Sequence, residues 1–168
     1  MNLPPHPEKY SAEIVRSDGL IKRVFVNEWM RRIESGGTIT IFRPDKEVIW
    51  FLKPTEKLYN ERKMRVKTVE RVLNPESLCD WTNAGTEAIN GRECHKFVGK
   101  YKFSADKQEA YEICYVEVDS GIRRREVTFN KNGKQVLVVD SLNVQIGPPD
   151  SKVFEVPKDY KKTRKILF

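Results

Sequence analysis

Few residues in this chain are equipped for chemistry. The histidines are His6 and His95, and the cysteines are Cys79, Cys94 and Cys114. A hydroxyl or thiol nucleophile needs a base beside it, and His6 sits in a proline-rich arm. Cys94 and His95 are adjacent in sequence, but neighbours on a strand point to opposite faces and cannot bond side chain to side chain. No catalytic residue is therefore expected. The carboxylate pairs Glu109 with Glu112 and Glu117 with Asp119 fall among strand residues, where solvent-facing charge is the ordinary state. No GxGxxG, P-loop or HExxH pattern is present. An odd number of cysteines without a C-x-x-C spacing argues against a zinc or redox motif, so neither metal nor cofactor is expected. Two thiol states stay open. In an oxidising compartment one pair would oxidise, with Cys94 and Cys114 the favoured disulfide; in a reducing one all three would be small buried hydrophobes.

The 168 residues suit one domain with a sizeable core. Lysine and arginine number 31 against 24 acids, a formal charge of +7, which admits anionic partners such as a membrane surface. The basic residues are spread over Arg62 to Lys67, Arg123-Arg124-Arg125 and a tail from Lys158 to Lys165, and are read as solvated faces. Without an RNP, helix-turn-helix or zinc pattern beside them, a nucleic-acid partner is not expected. No stretch approaches the roughly 18 apolar residues of a membrane helix. The opening Met1-Asn2-Leu3-Pro4-Pro5-His6-Pro7 lacks the n- and h-regions of a secretory signal. It reads as a tether beyond a removed signal or lipid anchor.

The elements that must position these residues are mostly strands. Turn signals recur about every ten residues, separated by β-branched and aromatic runs, the pattern of an antiparallel meander. Strands are expected at Tyr10 to Arg16, Leu20 to Val26, Glu28 to Glu34, Thr38 to Arg43, Glu47 to Leu52 and Leu58 to Arg62. After a break they resume at Thr86 to Ile89, Glu93 to Phe103, Ala110 to Val118, Arg124 to Phe129 and Gln135 to Ile146, about eleven in all. Asn90-Gly91 is the strongest hairpin signal. Asn74-Pro75-Glu76-Ser77 offers a cap, a proline at the first helical position and an acid in the first turn, which predicts a short helix over Pro75 to Trp81. Lys63 to Val72 is either an extended linker or a second helix. In Val48 to Leu52 both faces are apolar, so something must cover each side.

Five stretches, taken together in order, resemble the outer-membrane lipoprotein-sorting family of the LolA/LolB type, in its broader uncharacterised branch. They are Trp29-Met30-Arg31-Arg32-Ile33, the hairpin from Thr38 to Leu52, Pro54 to Tyr59, Gly85 to Phe97 ("GTEAINGRECHKF") and Phe154 to Tyr160. The resemblance implies a mainly β fold with short helices, a strongly curved antiparallel sheet forming an unclosed half-barrel, with helices across its concave face. It implies one domain over 10–160, an N-terminal arm at 1–9 and a basic tail at 161–168. It also implies a non-enzymatic periplasmic or outer-membrane-associated protein that holds the acyl chain of a lipid or lipoprotein. The alternative is an envelope interaction or sensing module without bound lipid. Val24, Val26, Met30, Ile39, Ile41, Ile49, Phe51 and Leu78 are the expected lining of the apolar concavity, although any one such residue is more simply read as core. Arg43 lies on a strand suited to holding a lid, but it matches no motif.

Overall fold

In the computed structural model, residues 3–64, 79–101 and 110–164 are described. They form β1 (Lys9–Arg16), β2 (Ile21–Asn27), β3 (Met30–Ser35), β4 (Thr38–Arg43), β5 (Val48–Lys53) and β6 (Leu58–Lys63). There follow β7 (Cys79–Ile89), β8 (Arg92–Tyr101), β9 (Tyr111–Glu117), β10 (Arg123–Phe129), β11 (Gln135–Ile146) and β12 (Lys161–Lys162). The strands pair in the order β12-β6-β5-β4-β3-β2-β1-β11-β10-β9-β8-β7, so the sheet does not close. Where a register is described it is antiparallel, apart from β12, which runs parallel to β6.

The turn residues act as their chemistry predicts. Asn90 and Gly91 both have positive φ, 51° and 74°, which lets a short turn follow the twist of its strands. Pro44–Lys46 and Pro54–Glu56 are matching 3-10 turns, each opening on proline and closing on a left-handed residue, Glu47 at φ 54° and Lys57 at φ 50°. Proline presets the first dihedral, and the left-handed residue turns the chain into the next strand.

The expected helices are where sequence and structure part. Among the described residues the helical elements are short 3-10 turns, and none lies as a helix over the sheet. Cys79 to Trp81, read as the end of a helix, open the eleven-residue strand β7 instead. Trp81 there pairs with Gly99, and Cys79 with Tyr101. An isolated helix of about seven residues is marginal in water, whereas the strand buries Trp81 to 5% exposure. Residues 75–78 of the expected helix, Leu78 included, and residues 65–72 lie outside the described part.

Contacts divide the chain into two compact units: Met1–Pro7, Val15–Gly19 and Asn74–Leu142 form the first, and Glu8–Ile14, Leu20–Leu73 and Asn143–Phe168 the second. In the first, β9 is buried on both faces. Cys114 and Val116 join Leu3, Cys79, Trp81 and Phe97 on one side. Tyr115 joins Ile89, Cys94 and Val127 on the other, flanked by Ile113, Phe129 and Val138. In the second unit the core is Ile41, Trp50, Leu52 and Phe154. Each fully buried aliphatic or aromatic side chain contributes roughly 1.5–3 kcal/mol over its exposed state.

Candidate functional site

Strand register assigns the side chains of β2 to β6 in the second unit to faces. One row across the strands is Phe25, Arg32, Ile41, Trp50 and Glu61. The row beside it on the same face holds Arg23, Glu34, Ile39, Leu52 and Tyr59. The opposite face carries Val24, Ile33, Thr40, Phe51 and Asn60, then Val26, Arg31, Phe42, Ile49 and Arg62. The expected lining residues are thus divided rather than gathered. Ile39, Ile41 and Met30 share the first face, since Met30 pairs with Asn27, two positions on from Phe25. Val24, Val26, Ile49 and Phe51 share the other. Side chains two residues apart project together, and the sequence reading had mixed odd and even positions.

The first face is covered by the chain's own C-terminal segment. Asp150 accepts from the Lys152 amide at 2.9 Å and caps the 3-10 turn Ser151–Phe154. That turn drives Phe154 to 0% exposure against Ile41, Trp50 and Leu52, while Val153, Val156 and Tyr160 pack around it. Arg43, itself buried, fastens the segment: Nη1 donates to the Phe154 carbonyl at 3.1 Å and also reaches the Glu155 carboxylate. Its Nε and Nη2 bind Asp45 in a fork, at 2.8 and 2.6 Å. The hydrogen bonds it donates to Asp45 and then to Glu155 hold the guanidinium charged, against the opposing effect of burial. Burial pushes the Glu155 carboxyl up, but Arg43 and Lys46 outweigh it and leave it below the usual range. Arg32 Nη1 donates to the Val153 carbonyl at 2.8 Å. Trp50 Nε1 donates to Glu61 at 2.9 Å, and Lys162 on β12 bonds the same carboxylate at 2.7 Å. Arg43 therefore does secure a cover, one made of 3-10 turn and loop rather than helix.

Past the end of this cover, two open grooves meet at Glu13 and Arg23. One of about 290 Å³ is lined by Ser11, Phe25, Asn143 and Gln145. The other, about 400 Å³, runs between Ile21, Ile39, Pro54 and the Gly36-Gly37 turn. Of the expected lining, Ile39 faces one of these two grooves. On the opposite face Val26 and Ile49 are buried and Val24 and Phe51 half-buried, with the Arg62 guanidinium 5.2 Å from the Phe51 ring centre.

The first unit shows where the reactive side chains went. Cys94 pairs with Glu117 and faces Tyr115, whereas Cys114 pairs with Phe97 and faces Trp81. The favoured disulfide is absent, and all three cysteines are free thiols. Cys94 and Cys114 project to opposite faces, three register positions apart. At roughly 3.3 Å per residue that offset is about 10 Å, beyond the roughly 7 Å Cα span a disulfide bridges. Burial pushes both thiols up, away from reactive thiolate. His95 lies on the face opposite Cys94, its ring edge-on to Phe97 at 6.2 Å. No cluster of metal-binding side chains occurs among the described residues.

Glu117 and the arginine triplet depart from the solvated state expected of them. Glu117 is 4% exposed, accepting from Ser120 Oγ at 2.5 Å and from Arg124 Nε and Nη2 at 3.0 and 2.7 Å. Burial raises its carboxyl, and those partners more than reverse the effect. Arg125 forks onto Asp140, and Arg123 reaches Glu126. The register slips between Arg123 and Arg125, so Arg123 lies opposite Val116 and Arg125 opposite Tyr115, on different faces, and each of the three arginines meets a carboxylate. Glu109 lies outside the described residues. Sequence reading also missed Leu3; its signal was a lone aliphatic residue ahead of Pro4 and Pro5.

No protein-family model matches the chain, and no curated protein matches it in sequence. Solved structures do match. An uncharacterized conserved protein from Thermus thermophilus aligns over 93% of this chain and 90% of its own at 14% identity, with a TM-score of 0.66. MucB, solved in complex with MucA(peri), aligns over 90% of this chain and 55% of its own at 9% identity, with a TM-score of 0.57. A LolA superfamily protein from Nitrosomonas europaea aligns over 90% of this chain and 91% of its own at 9% identity and a TM-score of 0.39. At such identities the likeness, carried by the first two, is one of fold alone.

Proposed function

We propose that this chain is a non-enzymatic protein of the periplasm or outer membrane that holds an acyl chain of a lipid or lipoprotein against its sheet. The observation that carries the reading is the half-buried apolar group Val24, Ile33, Phe42 and Phe51 on the face opposite the C-terminal cover, in two adjoining rows that also hold buried Val26 and Ile49 and are interrupted by Thr40 and Arg31. An alkyl chain gains about 0.8 kcal/mol per buried methylene and asks for no directional partner, so a strip of this kind is sufficient chemistry. The poverty of nucleophiles and bases agrees with binding rather than turnover. Native mass spectrometry of protein expressed with its envelope targeting should find bound acyl species. A fluorescent fatty acid should be displaced by unlabelled oleate, with affinity about tenfold or more weaker in Phe51→Glu and Val24→Glu. Protein with neither bound acyl species nor a displaceable probe would sink the reading.

A second reading is an envelope protein-interaction module. It is favoured by MucB, which shares the fold and was solved with MucA(peri). Saturable binding of one envelope polypeptide by lipid-free protein, undiminished by oleate, would support this reading over the first.

A further inference from the structure

The first unit carries an apolar pocket filled by the chain's own N-terminal arm. Leu3 is 6% exposed and packs against Cys79, Trp81, Phe97, Cys114 and Val116. The arm that delivers it has no strand or helix before β1 at Lys9. Pro4, Pro5 and Pro7 contribute no amide hydrogen to hold it down. The arm also approaches Gly121 closely, where a Cβ would come within 2.9 Å of the Pro5 carbonyl oxygen. Among the described residues, a single aliphatic side chain on an irregular arm thus packs against two aromatic rings, two thiols and a valine.

The pocket is built to be greasy. Trp81 lies across Gly99, and a Cβ at Gly99 would sit 2.6–2.8 Å from three atoms of the indole ring, so the missing side chain is what admits the ring. Cys114 is fully buried and its thiol is pushed up by burial, which keeps it neutral. At the margin Tyr101 packs on the cluster and turns its hydroxyl outward, donating to Glu112 at 3.2 Å. The described lining is mostly carbon and sulfur, and a branched alkyl group fills it already.

We propose that the Cys79, Trp81, Phe97, Cys114 and Val116 pocket binds a linear alkyl chain, and that Leu3 occupies it as a displaceable plug. This rests on the acyl-binding reading above and places a second, self-occluded contact in the other unit. Leucine offers the pocket one isobutyl group, whereas a long alkyl chain brings many more methylenes to the same walls and displaces it. Affinity for the chain is reduced by the fraction of molecules in which the arm is seated.

The test uses Trp29→Phe/Trp50→Phe protein, in which Trp81 is the sole tryptophan, titrated with stearic acid brominated in mid-chain. The bromine quenches Trp81 when the chain enters the pocket. Leu3→Ala should bind about tenfold tighter than the parent, with deeper quenching. Equal affinity and equal quenching in both would reduce Leu3 to ordinary core and overturn the plug. Binding without quenching of Trp81 would overturn the pocket while leaving acyl binding elsewhere intact. Absence of binding in either protein would overturn the acyl-binding reading itself, and this one with it. Should Leu3→Ala lose its β circular-dichroism signature, a chain lacking residues 1–7 undergoes the same titration, because strand pairing begins only at Lys9.

Discussion

Two glutamates on β9, Glu117 buried and Glu112 half-buried, illustrate how position decides the sign of an electrostatic contribution. Glu117 is held below the ordinary carboxylate value, so its stabilisation is present above the unfolded value and lost as pH falls through the folded one. Glu112 is the reverse: burial first and Glu126 second push its carboxyl up, and Tyr101 and Arg123 offset them only in part. Its ionised form is disfavoured in the fold, so it costs stability at neutral pH. That cost disappears as pH falls through the raised folded value to the unfolded one. Glu112→Gln, which keeps an acceptor for Tyr101, should therefore raise the urea midpoint at pH 7, with the gain shrinking toward pH 4. A lower midpoint at pH 7 would contradict the burial argument. At Gly99 the decisive quantity is distance. Gly99→Ala places a methyl inside the Trp81 ring contact, and overpacking of this kind costs about 1–3 kcal/mol. Gly99→Ala/Trp81→Leu should recover part of it in the same denaturation experiment, and a single variant as stable as the parent would refute the steric account.

Among the elements, the C-terminal segment contributes most for its size. It is short and irregular, yet Phe154 is fully buried and Arg43, Lys46 and Arg32 all reach it. Removing the ring leaves a cavity beside Ile41 and Leu52, for which the cost is about 3–5 kcal/mol. Phe154→Ala is expected to lose that much in urea unfolding and to shift Trp50 emission to the red as water reaches the indole. A loss below about 1 kcal/mol would mean that the sheet face closes without the segment. The terminal strand β12 adds a smaller clasp, with the Lys161 amide donating to the Lys57 carbonyl and the Thr163 amide to the Tyr59 carbonyl, both at 2.8 Å. It also shields part of the edge of β6, a position where an open strand invites foreign pairing.

For the whole molecule, the division into units does not follow the order of the chain. β1 and β11 each contribute residues to both, with β1 divided after Ile14 and β11 after Leu142. A strand cannot stay ordered at one end while its other half loses every partner without exposing a long unpaired edge. The chain is accordingly expected to unfold in one transition. Variants with Trp50 alone and with Trp81 alone, reporting one unit each, should give coincident urea curves. Midpoints that differ beyond error would show the units to be independently stable.

The sequence by itself determined most of the strands, though not the first part of β7 or β12. Period-two alternation and the turn residues Asn90-Gly91, Pro44 and Pro54 act within a few positions of one another, and such local chemistry is legible without a partner. The scarcity of histidine and the missing motifs were equally plain. What only the tertiary structure decided depends on pairing between distant residues. Register assigned Met30, Ile39 and Ile41 to one face and Val24, Val26, Ile49 and Phe51 to the other, and set Cys94 and Cys114 on opposite sides. The bond from Arg43 to a carbonyl 111 residues away, the burial of Glu117 among arginines and the seating of Leu3 are likewise long-range contacts. No property of the residues nearby in the chain encodes them, because each is created only when strands far apart in sequence come together.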